Sequence, residues 1–108
     1  MMSVGRAFIH GLESSGRGTK GAWFRERCPD MIIEDYAGSF TARMAKLELL
    51  LEGQDPLILV GSSYGGLMAA VYACRHPERV KKVVLLAPAL HLEPFSECAD
   101  ASLRVPVH

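Results

Sequence analysis

The sequence predicts an α/β domain: a three-layer sandwich with a mostly parallel sheet of four to five strands between helices. Three observations predict it. Short, continuous apolar runs recur at Ala7-Phe8-Ile9, Met31-Ile32-Ile33, Leu57-Ile58-Leu59-Val60 and Val83-Val84-Leu85-Leu86. Continuous rather than alternating apolarity marks strands covered on both faces, as in parallel sheets. Longer stretches with helical spacing separate these runs, and such strand–helix alternation gives right-handed crossovers. Finally, no repeat or low-complexity linker divides the 108 residues, so residues 1–108 read as one domain with one core.

The elements follow in order. Ala7–Ile9 opens the sheet, and Thr19 to Cys28 reads as a weakly patterned helix, with Trp23 expected in the core or at a cap. After the second strand, Phe40, Met44, Leu47 and Leu51 recur at four-, three- and four-residue steps, one stripe of an amphipathic helix. Gly53 stands just past its end as a stop. The third strand runs into a helix from Ser63 to Arg75 carrying Leu67, Ala70, Val71 and Cys74, and the HPERV turn leads to the fourth strand. Beyond Pro88 the pattern loosens into a loop or short helix. Leu103 to His108 reads as the opening of a fifth strand, which makes the chain look cut short.

Composition narrows the function. Hydrophobic residues make up 49% and charged residues 22%, a globular balance. Lys+Arg 12 against Asp+Glu 12 gives no basic excess to hold a phosphate backbone, so nucleic acid is not the expected partner. The first residues hold no apolar run of signal-peptide or membrane-helix length, so no membrane association is expected. Cys28, Cys74 and Cys98 match neither a disulfide framework nor a metal site and read as reduced thiols of a cytoplasmic protein. No His/Cys/Asp cluster has ligand spacing, so no metal or organic cofactor is expected.

Gly61-Ser62-Ser63-Tyr64-Gly65 fits G-x-S-x-G, placed after a strand and before a helix as that motif requires. So tight a turn strains the central residue, and glycines two positions either side let strand and helix backbones approach. Ser63 Oγ is then lifted above the sheet, beside the Tyr64 N–H and a helix N-terminus that favours negative charge. The competing reading of Ser63 is a helix-capping serine with no chemistry, and Ser62 reads as no more than such a serine.

A second constellation, His10-Gly11-Leu12-Glu13-Ser14-Ser15-Gly16, follows the first strand. Oxyanion stabilisation needs two N–H groups converging on one oxygen. If the third strand pairs with the first, this loop faces Ser63 across the crevice where strand order reverses, and the Leu12 N–H partners that of Tyr64. His10, Gly11, Ser14 and Ser15 become substrate-loop residues. The same loop nearly matches the phosphate-cradling G-x-x-x-x-G-K-[ST]. Arg17 in place of lysine, Gly18 in place of a hydroxyl and the acidic Glu13 exclude that reading. Arg17 and Lys20 either meet an anionic substrate group or are solvated loop charges.

Three segments, FIHGLESS, LVGSSYGG and HPERVKKVVLLAPA, together resemble the α/β-hydrolase superfamily in order and spacing, with a loop similar to that of small bacterial esterases and thioesterases. The resemblance implies a strand order of second, first, third, fourth, then fifth. It implies Ser63 as the nucleophile of an ester or thioester hydrolase, Leu12 and Tyr64 N–H groups as the oxyanion hole, and His10 as a loop-orienting residue. In that family the acid and the catalytic histidine follow later strands, so this chain is expected to be a truncated form, inactive or weakly active alone.

Within the sequence, a substitute base is hard to find. His76 lies at the far end of the helix after Ser63, roughly 20 Å away at 1.5 Å per residue. His91 follows the fourth strand on the active edge and is either an improvised base or a loop histidine; His108 ends the chain. Asp35 emerges on the same edge and reads as a cap or turn residue. Leu90, Leu92 and Phe95 either line an acyl pocket or belong to a short lid. The alternative function is a non-catalytic binding or assembly module. An exposed sheet edge would invite pairing into a homo-oligomer, in which a partner copy supplies the base.

Overall fold

The four apolar runs form one sheet. The computed structural model describes residues 4–12, 15 and 17–86. Its strands are β1 (Gly5–Ile9), β2 (Ile32–Ile33), β3 (Leu57–Ser62) and β4 (Val80–Leu86), and its helices are α1 (Thr19–Arg27), α2 (Phe40–Leu51) and α3 (Tyr64–Arg75). The order is β2-β1-β3-β4, with every neighbouring pair parallel, as expected for the strands described. The fifth strand, and the segment from Pro88 to Ser102, fall outside the described residues.

The two faces of the sheet carry separate cores, which explains why the strands read as continuous apolar runs. Ala7, Ile9, Leu57, Leu59 and Val83 point to one face and pack with Met44, Leu47 and Leu51 of α2 and with α3. Phe8, Val60, Met31 and Ile33 face the other way, where Phe24 of α1 stacks on Phe8 with centroids 5.1 Å apart. Helices on both faces give the three layers. Each fully buried Leu here contributes about 1.5–3 kcal/mol by leaving water.

Local chemistry fixes the helix ends. Ser39 caps α2, its hydroxyl accepting from the Ala42 N–H at 3.1 Å. Gly53, at φ +78°, follows the end of α2 where the sequence placed a stop. In α3 every residue from Gly65 to Ala73 is buried, so this helix is an internal one flanked by sheet and α2. At its far end His76 Nε2 meets Glu48 of α2 at 2.8 and 3.0 Å, and the Tyr72 ring lies 4.6 Å from the imidazole.

Two expectations need correction. Trp23 is neither a core nor a cap residue: it is half exposed, edge-on to Phe24, with the Arg27 guanidinium 4.2 Å from its ring centroid. The cause is α1 itself, which is polar and buries only Gly21, leaving Phe24 partly buried against Phe8. The cysteines are not all reduced, because Cys74 is disulfide-bonded while Cys28 is a free thiol. Among the described residues no helix is long and apolar enough to cross a membrane.

Tyr36, just beyond β2, is buried with a phenolic oxygen that has no hydrogen-bond partner among the described residues. Burial, and then the negative charge of Glu34, raise its pKa far above the ordinary 10.0; burial raises Tyr72 as well. Below about pH 10 the phenol is neutral in both folded and unfolded chains, and the full stability is present. Above it the unfolded chain loses the proton first, so stability falls as pH rises. Urea denaturation at about pH 9 and about pH 11 should show this loss, and Tyr36→Phe should remove a measurable part of it.

Candidate functional site

The register of the central strands builds the site. Phe8 pairs with Val60 and Ile9 with Gly61, so the chain leaving β1 and the chain leaving β3 emerge side by side. Gly11 then lies against Ser63: a Cβ placed on Gly11 would stand 3.2 Å from Ser63 Cβ and 3.7 Å from its Oγ. The loop after β1 and the serine after β3 therefore share one rim of the sheet.

Ser63 occupies the turn between β3 and α3 with φ 54° and ψ −116°, and among the described residues it is the one non-glycine with positive φ. Such a conformation costs about 1–3 kcal/mol and persists only where the surroundings impose it. Here the Ser63 N–H donates to the Leu86 carbonyl of β4 at 2.8 Å, while the Ser63 carbonyl accepts from Gly66 and Leu67 at 2.9 and 3.3 Å. The hydroxyl makes no capping bond to α3, and the side chain is exposed. Ser63 thus stands at the N-cap position of α3 without a capping bond from its side chain. Ser62, the last residue of β3, is buried.

The glycines of the motif act by contact. A Cβ on Gly61 would fall 2.3 Å from the Gly65 carbonyl oxygen, and one on Gly65 would fall 2.0 Å from the Ile9 carbonyl oxygen and 2.6 Å from that of His10. Strand β3, helix α3 and the end of β1 are thus packed backbone to backbone. Tyr64 follows as the first residue of α3, where an amide has no intrahelical acceptor. Its ring is edge-on to Phe40 at 5.9 Å.

His10 is almost wholly buried, and both ring nitrogens are occupied. Nε2 accepts from the Tyr36 N–H at 2.8 Å, which leaves Nδ1 as the donor to the Gly11 carbonyl at 2.6 Å. The ring also packs at 5.6 Å from that of Tyr36. The imidazole thus ties the loop after β1 to the segment after β2.

A cavity of about 490 Å³ opens beside the serine, within the range of small-molecule sites. Its described lining comes from Phe8 of β1, Gly11 and Leu12 beyond it, Ser62 and Ser63 at the end of β3, and Thr19 and Lys20 in the first turn of α1. Leu12 is half exposed at this opening. Ser15 stands apart from the lining: its hydroxyl accepts from the Arg17 N–H and its carbonyl from the Gly18 N–H, both at 3.1 Å, so it shapes the entry to α1.

Other residues singled out in the sequence are dispersed. His76 closes the opposite end of α3 against Glu48, and the Asp35 carbonyl accepts from Lys46 Nζ. Ser14, His91 and His108 lie outside the described residues. One residue near the site escaped the sequence reading. Arg43 is only 6% exposed, donates through Nε to the Gly38 carbonyl at 3.0 Å, and places its guanidinium 5.5 Å from the Tyr64 ring centroid. Its position three residues after Phe40 on the buried stripe was the available signal.

Comparisons with known proteins agree with this fold. The sequence matches the alpha/beta hydrolase fold family over residues 11–105. It is 38% identical over 116 aligned positions to lipase LipV of Mycobacterium tuberculosis, covering 91% of this chain and 43% of that protein. A homoserine O-acetyltransferase of Thermus thermophilus is 52% identical over 64 residues, 58% of this chain and 16% of that one. The chain spans less than half the length of these curated relatives. Among solved structures, mouse alpha/beta hydrolase domain-containing protein 10 superposes with a TM-score of 0.71 at 28% identity, covering 82% of this chain and 42% of that one. A YdeN-like hydrolase from Pectobacterium atrosepticum gives 0.75 at 24% identity, covering 97% and 60%. With its sheet order, its strained serine turn and a family match over most of its length, the chain belongs to the α/β-hydrolase family.

Proposed function

We propose that this chain carries the nucleophile and oxyanion half of a serine hydrolase site acting on a carboxylic ester or thioester. The observation that carries this reading is Ser63: exposed, held at positive φ, and set against Gly11 at the mouth of a cavity. In the proposed reaction Ser63 Oγ attacks the acyl carbonyl and gives its proton to the base, which passes it to the alcohol or thiol that departs as the acyl-enzyme forms. The developing oxyanion accepts hydrogen bonds from the Leu12 and Tyr64 N–H groups, at the end of α3 where negative charge is favoured. Water then attacks the acyl-enzyme and releases the acid. The lipase named among the relatives favours an ester.

His10 serves in this scheme as a positioning residue, since both of its nitrogens are engaged. The other described histidine, His76, sits at the far end of α3. The base is therefore proposed to come from residues outside those described, His91 among them, or from a second copy paired along the sheet edge. A base from a second copy would make the reaction rate depend on protein concentration.

Labelling with a fluorophosphonate tests the proposal. Modification at Ser63, abolished in Ser63→Ala, is the expected result. A folded chain that takes no label would instead favour the binding-module reading, in which the same cavity holds a ligand without turnover.

A further inference from the structure

Lys20 is the one charged side chain among the described residues lining the Ser63 cavity. It is exposed and has no ion pair or hydrogen bond among the described residues. Beside it Thr19 brings a hydroxyl to the same lining. These residues open α1, whose N-cap is Gly18, so no side chain caps the first amides and no acid occupies the first turn. The basic residues Arg25 and Arg27 lie in the last turn instead. A lysine and a threonine thus line the same cavity as Ser63. Every one of these groups donates hydrogen bonds, and none of the described lining residues offers a carboxylate to oppose them.

We infer that the substrate of this site is anionic: a small ester or thioester that carries, besides the bond cleaved at Ser63, a carboxylate or phosphate group received by Lys20 and Thr19. The inference rests on the hydrolase reading for the identity of the reacting bond. The anion-binding part rests on the cavity alone. A neutral acyl chain would fill the same volume while leaving the ammonium without a partner, so charge distinguishes the accepted ligand from its neutral analogue. Arg in place of Lys keeps the positive charge that meets the anion, so the preference is retained.

The test separates binding from catalysis. In a Ser63→Ala background, where no turnover interferes, binding of monomethyl glutarate is compared with that of dimethyl glutarate by amide chemical shifts at Gly11, Thr19 and Lys20. Methyl 4-(phosphonooxy)butanoate forms a third arm and tells a phosphate preference from a carboxylate one. The expected result is binding of one or both anionic esters about fivefold or more tighter than the diester, weakening with salt. Lys20→Met should erase that difference and Lys20→Arg should keep it. Equal binding of all three esters, or a preference that survives Lys20→Met, overturns the inference. Failure of fluorophosphonate labelling in the parent chain would overturn hydrolysis without moving these binding constants, so the two failures are told apart.

Discussion

Gly65→Ala is expected to be the most damaging single substitution in the chain, lowering stability by about 3 kcal/mol or more. The added Cβ would lie 2.0 Å from the Ile9 carbonyl oxygen, 2.5 Å from its carbon and 2.6 Å from the His10 carbonyl oxygen. All three are backbone atoms, two at the end of β1, a strand held between β2 and β3, and one in the residue that follows it. No rotamer change relieves the overlap, so α3 must move off the sheet. That displacement disturbs both the serine turn at its start and the apolar contacts along its length. Urea denaturation should show the midpoint collapse, and fluorophosphonate labelling should vanish with it. Gly5→Ala supplies the contrast, because its nearest neighbours at 3.2 Å are the ends of the Gln54 and Leu57 side chains, which can yield. Its cost is expected to stay below about 1 kcal/mol.

His10→Ala comes second, with an expected loss of about 2–3 kcal/mol. The substitution leaves the buried Tyr36 N–H without its acceptor and the Gly11 carbonyl without its donor, and it opens a void beneath the loop. The functional readout should exceed the stability readout. Gly11 lies against Ser63, and the Leu12 amide next to it is the proposed oxyanion donor. In chains kept folded at low temperature, labelling at Ser63 should slow at least tenfold relative to the parent, since a loose donor no longer meets the transition state. An unchanged labelling rate in folded His10→Ala would remove the loop from the mechanism.

Much of this was legible in the sequence, for identifiable reasons. The continuous runs at 7–9, 57–60 and 83–86 signal strands covered on both faces, and the structure supplies the two cores responsible. The Phe40-Met44-Leu47-Leu51 stripe is a helix because three of its four members are buried and Phe40 packs at the margin. The serine turn was legible because its glycines are required by backbone contacts, which leave their mark at fixed spacing. Contacts between residues distant in sequence were not. His10 and Tyr36 are 26 positions apart, and nothing local announces that one ring accepts the other's amide. Arg43 looks like a surface cation until the neighbouring Tyr64 and Gly38 are in place. Trp23 was misplaced because its size suggests a core that a polar helix does not provide.

The unequal anchoring of the two helical layers has a consequence for how such a protein can change. Helix α3, which begins at the serine, buries nine of its residues, whereas α1, which carries Lys20, buries one. On the proposed reading, ligand preference is written on the loosely seated layer and reactivity on the deeply seated one. Exchanges along the first turn of α1 would then redirect what is accepted while the strained serine stays where it is, so that selectivity would drift without the chemistry drifting with it.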